Sequence, residues 1–160
     1  MAKFEKVRKD MIKKKNEVWT GKENLTKEIE KYDEHRTEVE DGISKIPKDL
    51  PQEVQKDVDR AVEKERQKLK KEADKIEKKV DKVSEKADKA MDMAEEKATD
   101  FKQQAEKVRS LRDIPVLGSF IEQKAETLDD YAQQMTDLRQ ETQKYQDELQ
   151  HAKIKLTNKK

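Results

Sequence analysis

Apolar residues recur at alternating spacings of three and four from Leu69 to Leu156, with a single interruption. This spacing is typical of the a/d seam of a coiled coil, a narrow apolar stripe along each helix. The first run ends at Leu111 and the second begins at Leu117. Between the runs, Pro and Gly in the segment 113–119 stop a helix from continuing. The pattern therefore predicts a long antiparallel helical hairpin.

Glycine and proline positions divide the whole chain into four predicted helices, at about 3–18, 22–46, 51–111 and 119–156. The predicted boundary between the first two is the segment Trp19-Thr20-Gly21, where Thr20 and Glu23 have the spacing of a capping box. A continuous register through this segment would bury Glu28, so the apolar pattern predicts a kink or tight turn at Gly21.

The predicted fold is all-α: an elongated antiparallel coiled-coil or helical-hairpin bundle of about four helices, forming one domain over residues 1–160. Its central helix, 51–111, would be on the order of 90 Å long at 1.5 Å per residue. Lys97 and Gln104 fall on d positions of this helix, in a stretch whose other seam residues are mostly alanine. Such a seam is weak, which makes Lys97 and Gln104 candidate contacts for a partner helix.

Composition limits the functions open to the chain. Charged residues make up 47% and aromatic residues 4%, which argues against a broad ligand pocket. Cysteine is absent. Neither of the two histidines has enough neighbouring ligand residues in the sequence to form a zinc site. Neither a phosphate-binding loop nor a nucleophile with its base can be found. We therefore expect a non-enzymatic protein without cofactor or metal.

The N-terminal segment is rich in lysine, whereas the segment 122–148 is acidic. These segments could pair with each other, pair across a dimer, or leave the basic end for an anionic surface. The lysines considered for an anionic membrane are Lys9, Lys13, Lys14 and Lys15, beside an apolar face of Phe4, Val7, Met11 and Ile12. That face could equally pack on the central helix. Sequence-specific nucleic-acid binding is disfavoured, because stacking aromatics do not alternate with the lysines.

The Trp19-Thr20-Gly21 segment resembles the Trp-x-Gly turn of the ESX-type family of small secreted helical hairpins of type VII secretion. The resemblance implies that Trp19 and Gly21 mark a recognition turn. It also implies that the chain is a secretion substrate or the helical partner of one.

Taken together, these patterns predict an interaction or scaffold protein whose partners are helical proteins or further copies of itself. The secretion-associated and membrane-binding functions remain alternatives. The basic N-terminus lacks an apolar signal region, and no apolar stretch reaches the roughly 20 residues of a membrane span. We therefore expect a cytoplasmic location, with signal-less export as the alternative.

Overall fold

A computed structural model describes residues 2–157, excluding the side chain of Thr157, and its regular structure consists of three α-helices. Helix α1 spans Ala2–Ser44, α2 spans Gln52–Arg109 and α3 spans Gly118–Thr157. The all-α class is confirmed. The expectation of about four helices is wrong, because the first two predicted helices are parts of α1.

Helix α1 continues through residues 19–21 without the predicted break. Its buried residues Met11, Val18, Leu25 and Tyr32 lie seven apart, so one apolar register runs through the whole region. The phase shift inferred from the sequence was wrong because charged residues occupy the intervening repeat positions. These charged residues face α3 and pair with it, as described below.

The chain divides into two compact units. The first contains the described residues of Met1–Gly21 together with Val83–Asp147, and the second contains Lys22–Lys82 with the described residues of Glu148–Lys160. Each unit thus takes part of all three helices. The predicted single domain over 1–160 stays a prediction.

The core of the first unit is built around Phe101, which is 1% exposed. Its ring makes edge-on contacts with Phe4, at 5.7 Å between centroids, and with Tyr131, at 5.6 Å. Small side chains surround it and let the helices approach closely. The buried cluster comprises Met11, Ala94, Ala98, Phe101, Ala105, Leu128, Ala132, Met135 and Leu138.

Polar contacts in the first unit set the register of α1 against α3. The Tyr131 hydroxyl donates to Glu5, which also pairs with Arg8. Arg8 donates to Gln134 at 3.2 Å, and Lys15 donates to Glu141 at 2.7 Å. Each of these interhelical pairs joins residues 126 apart in sequence. Because the separation is constant, α1 and α3 run parallel here.

The second unit contains a buried cation, Lys22, which is 7% exposed. Its ammonium group donates to Glu148 at 2.5 Å and to Glu23 at 3.2 Å. Burial by itself lowers the pKa of Lys22, but the hydrogen bonds to the two carboxylates outweigh burial and raise that pKa above its ordinary value. Lys22 therefore stays charged. The buried apolar residues of the same unit are Leu25, Ile29, Tyr32, Leu69, Ala73, Ile76, Val80, Leu149, Ala152 and Leu156.

Acid should loosen the N-terminal part of α1. Hydrogen bonds from Arg8 and Tyr131 lower the pKa of Glu5 from 4.5 to about 2. A carboxyl group whose pKa is depressed on folding adds stability above its unfolded pKa and loses it as pH falls toward the folded value. We expect the stability difference between wild type and Glu5→Gln to shrink as pH falls from 4.5 to about 2. Denaturant titrations at stepped pH measure this difference, and a difference that grows in acid would contradict the expectation.

Candidate interaction surfaces

Five exposed apolar side chains cluster in the α2–α3 connection and the first turn of α3. Val116 is 100% exposed and Phe120 is 57% exposed. Most of the large apolar side chains that are exposed in the described range lie in this one segment. Groups of exposed apolar side chains on a protein surface often mark binding sites. We call this group the apolar tip: Leu111, Ile114, Val116, Leu117 and Phe120.

For two members of the apolar tip, Leu111 and Leu117, the heptad spacing predicts a buried position. Leu111 and Leu117 end and begin the two apolar runs in the sequence, but they are 49% and 45% exposed. Helix α2 ends at Arg109 and α3 begins at Gly118, so both leucines lie outside the packed helices. The heptad pattern continued past the point where the helices stop, and the seam prediction is wrong at these two positions.

The turn within the apolar tip is strained. The Leu117 N–H donates to the Ile114 carbonyl at 3.3 Å, with Pro115 and Val116 at the central positions. Val116 has a φ of 75°, and it is the one non-glycine residue with positive φ among residues 2–157. A type II turn normally places glycine there, because a β-branched side chain clashes with the backbone. Such strain, of order 1–3 kcal/mol, is characteristic of functional sites.

Glycine at position 116 should relieve this strain. We expect Val116→Gly to raise the free energy of unfolding by about 1 kcal/mol, since the left-handed conformation is costly for L-residues and no packing is lost. The matched control is Val54→Gly, an exposed valine in α2, where glycine should lower stability through its poor helix propensity. Chemical denaturation of the two variants measures both effects. Equal losses would show that Val116 is not strained.

Ion pairs hold the base of the apolar tip. Arg109, at the end of α2, pairs with Glu122 at 3.3 Å and with Asp129 at 2.6 Å, both on α3. The hydrogen bond to Asp129 is the main cause that raises the pKa of Arg109. The ammonium of Lys124 lies 5.4 Å from the centre of the Phe120 ring. The base is therefore fixed by α2–α3 contacts while the apolar side chains above it stay exposed.

A second surface lies at the α1–α2 connection, in the other unit. Lys153 of α3 reaches Glu77 at 3.7 Å, and the Lys155 carbonyl accepts from Arg36 at 2.8 Å. Closer to the connection, α1 and α2 contact each other, as in the Arg66–Glu40 pair at 3.2 Å. An open recess of about 580 Å³ lies there. We call it the hairpin groove, and its apolar lining is Ile43, Ile46, Pro47, Leu50, Val58 and Val62.

Trp19 and Gly21 lie on α1, not in a turn. The Trp19 side chain is 45% exposed. A Cβ built on Gly21 would lie 3.0 Å from Val83 Cγ2, so this glycine permits α1 to pack closely against α2. The expected recognition turn at these residues is therefore wrong, although the indole ring is accessible.

Lys97 and Gln104 are half-buried on α2. The buried positions beside them are Ala98 and Ala105, one residue further along. In a three-helix unit α2 contacts two helices, so its buried face is wider than a two-helix seam. Ala98 and Ala105 therefore fill the buried face of α2 in the stretch where the sequence predicts a weak seam at Lys97 and Gln104.

Three of the lysines considered for an anionic surface, Lys9, Lys13 and Lys14, are exposed. Lys15 is half-buried and pairs with Glu141. The apolar face beside them packs inward: Met11 belongs to the core of the first unit, and Phe4, Val7 and Ile12 pack against it. The basic residues are thus accessible without the apolar face that was expected to accompany them.

Sequence reasoning missed both the apolar tip and the hairpin groove as surfaces. A signal for the tip was present, because apolar residues are dense around Pro115 and Gly118, where no helix can bury them. The groove had no comparable signal. Its apolar residues, within 43–62, are interspersed with charged residues like those elsewhere in the chain.

Within residues 2–157, no group of three or more histidine, aspartate or glutamate side chains is arranged to hold a metal ion. None of the described helices is long and apolar enough to cross a membrane. No protein-family model matches the chain, and no curated protein or solved structure resembles it significantly. The surfaces themselves are therefore the basis for any functional inference.

Proposed function

We propose that the chain is a non-enzymatic coiled-coil interaction or scaffold protein, which binds helical proteins or further copies of itself. The heptad spacing of buried residues supports the coiled-coil assignment. On α3 the repeat positions are Ile121, Leu128, Met135, Thr142, Leu149 and Leu156, each of them buried. The hydroxyl of Thr142 donates to the Leu138 carbonyl at 2.8 Å, so this polar residue is satisfied within its own helix.

The apolar tip is the observation that carries the proposal. The cores of the two units bury alanine, leucine and isoleucine efficiently, yet the tip holds five large apolar side chains in solvent. Removing such side chains from water on binding is favourable by roughly 25 cal/mol per Å² of apolar surface. Covering the tip with another protein is therefore expected to be favourable.

Proximity labelling tests this proposal. Wild type and a Val116→Asp/Phe120→Asp variant are compared in cells that naturally contain the protein, with Trp19→Ala as the matched exposed-residue control. We expect proteins that are enriched by wild type and by Trp19→Ala but lost with the tip variant. A tip variant with the same labelled set as wild type would overturn the assignment of the tip.

The secretion-associated alternative keeps one supporting feature, the exposed indole ring of Trp19. It predicts export that is lost in Trp19→Ala, whereas an interaction centred on the tip tolerates that change. The membrane-binding alternative is supported by the exposed lysines Lys9, Lys13 and Lys14, and it predicts that the protein floats with anionic vesicles. The cytoplasmic location stays a prediction of the sequence.

A further inference from the structure

We propose that the apolar tip of one copy of the chain docks into the hairpin groove of a second copy. This inference rests on the proposed interaction function and names the partner. The two surfaces are different in shape. The tip projects into solvent, with Val116 fully exposed, whereas the groove is an open recess of about 580 Å³.

The apolar character of the two surfaces matches. The tip presents branched aliphatic side chains and one phenyl ring, and the groove is lined by isoleucine, leucine, valine and proline. Docking would cover both surfaces at once, which is what hydrophobic association favours. Pairing two tips would leave the groove open and set one convex surface against another.

The charges beside each surface also match. The tip carries Arg112 and Asp113, which are adjacent and exposed. The groove lining carries Lys48 and Asp59, also exposed, together with Arg66, whose charge is already paired between α1 and α2. Arg112 can therefore face Asp59 while Asp113 faces Lys48, so that each charge meets its opposite. Complementary pairs of this kind fix orientation more than they add affinity.

The proposed contact is heterologous, because the tip and the groove are different surfaces. A bound pair therefore retains one free tip and one free groove, and association continues unless the geometry closes a ring. We expect the mean mass of the wild-type chain to rise with protein concentration instead of stopping at a dimer.

Sedimentation velocity with light scattering, across micromolar to millimolar concentrations of the full chain, tests this arrangement. The tip variant is Val116→Asp/Phe120→Asp, and the groove variant is Ile46→Asp/Leu50→Asp. Each variant alone should be monomeric. Their mixture should form dimers and nothing larger, because the groove variant supplies the intact tip and the tip variant supplies the intact groove. Val54→Asp, an exposed change outside the groove lining, should associate as wild type does.

Charge exchange provides a second test that does not disturb apolar packing. Arg112→Asp should weaken association about tenfold, and Asp59→Arg should do the same. Combining both changes in one chain should restore most of the loss, because the pair is re-formed with its signs exchanged. This series remains decisive if the groove variant proves unstable to heat or denaturant.

Several outcomes would overturn the inference. A wild-type chain that stays monomeric at every concentration excludes it, and so does a folded groove variant that still associates, since tips would then bind each other. Flotation of a monomeric wild type with vesicles, lost in the tip variant, would identify a lipid surface as the occupant. A monomeric chain that still labels tip-dependent proteins would leave the proposed function standing without this partner. A wild-type chain that neither associates with itself nor labels tip-dependent proteins would contradict both the proposed function and this inference.

Discussion

Replacing Leu128 and Leu138 together by aspartate should abolish cooperative unfolding of the first unit. The two leucines are 1% and 3% exposed, within the cluster around Phe101. Each change removes a large apolar group and buries a carboxyl group without a partner, a combination that costs about 4 kcal/mol or more. Two such losses are comparable with the whole stability of a typical domain, about 5–15 kcal/mol.

Thermal melting followed by far-UV circular dichroism measures this effect. The matched control carries Gln123→Asp and Gln140→Asp, two exposed positions on the same helix. The control has the same added charge and should melt within a few degrees of wild type, because surface changes usually alter stability by less than about 0.5 kcal/mol. A double leucine variant that melts like this control would show that α3 does not pack as described.

Phe101→Ala should be the most damaging single truncation in the first unit. Phe101 is 1% exposed and contacts two aromatic rings edge-on. Truncating a buried phenylalanine costs about 3–5 kcal/mol, through lost transfer energy and the cavity left behind. In a chain of this size each kcal/mol shifts the melting temperature by roughly 2–4 °C, so we expect a fall of about 6–20 °C.

Phe120→Ala is the control for this prediction, because the same residue type is removed from the apolar tip. Phe120 is 57% exposed and contributes little to the core, so its loss should leave the melting temperature nearly unchanged. Differential scanning calorimetry on the two variants gives the comparison directly. Similar losses in both would mean that Phe120 is packed, and the tip would no longer be an open surface.

The helical class and much of the core could be predicted from spacing alone. Residues such as Ile76, Val80, Leu128 and Met135 recur at heptad intervals, and each is buried. The chain joint around Pro115 was also correctly placed, because proline lacks the backbone N–H that a helix interior requires. Local rules suffice in these cases, since periodicity determines which side chains share one face of a helix.

The predicted break in α1 failed for a physical reason that spacing cannot reveal. Arg8, Lys15 and Lys22 lie seven residues apart, in phase with the buried Ile29, so the repeat continues through Gly21 in charged residues that a search for apolar spacing overlooks. Each of them also has a partner on α3, 126 residues away. A charged residue at such a position is tolerated only when the opposing helix supplies its hydrogen bonds, which the local sequence does not specify.

The sequence by itself determined that the chain is helical, that no helix crosses the proline-containing segments 47–51 and 113–117, and which face of each helix is apolar. The tertiary structure decided that α1 is one helix, that Lys22 is buried with its charge satisfied, and that Gly21 serves close packing. It also decided which apolar residues stay in solvent. Periodicity assigns a residue to a face, but burial depends on whether another helix extends far enough to cover that face. The hairpin groove is an open recess at the α1–α2 connection, and the turn around Val116 lies outside the helices that it joins.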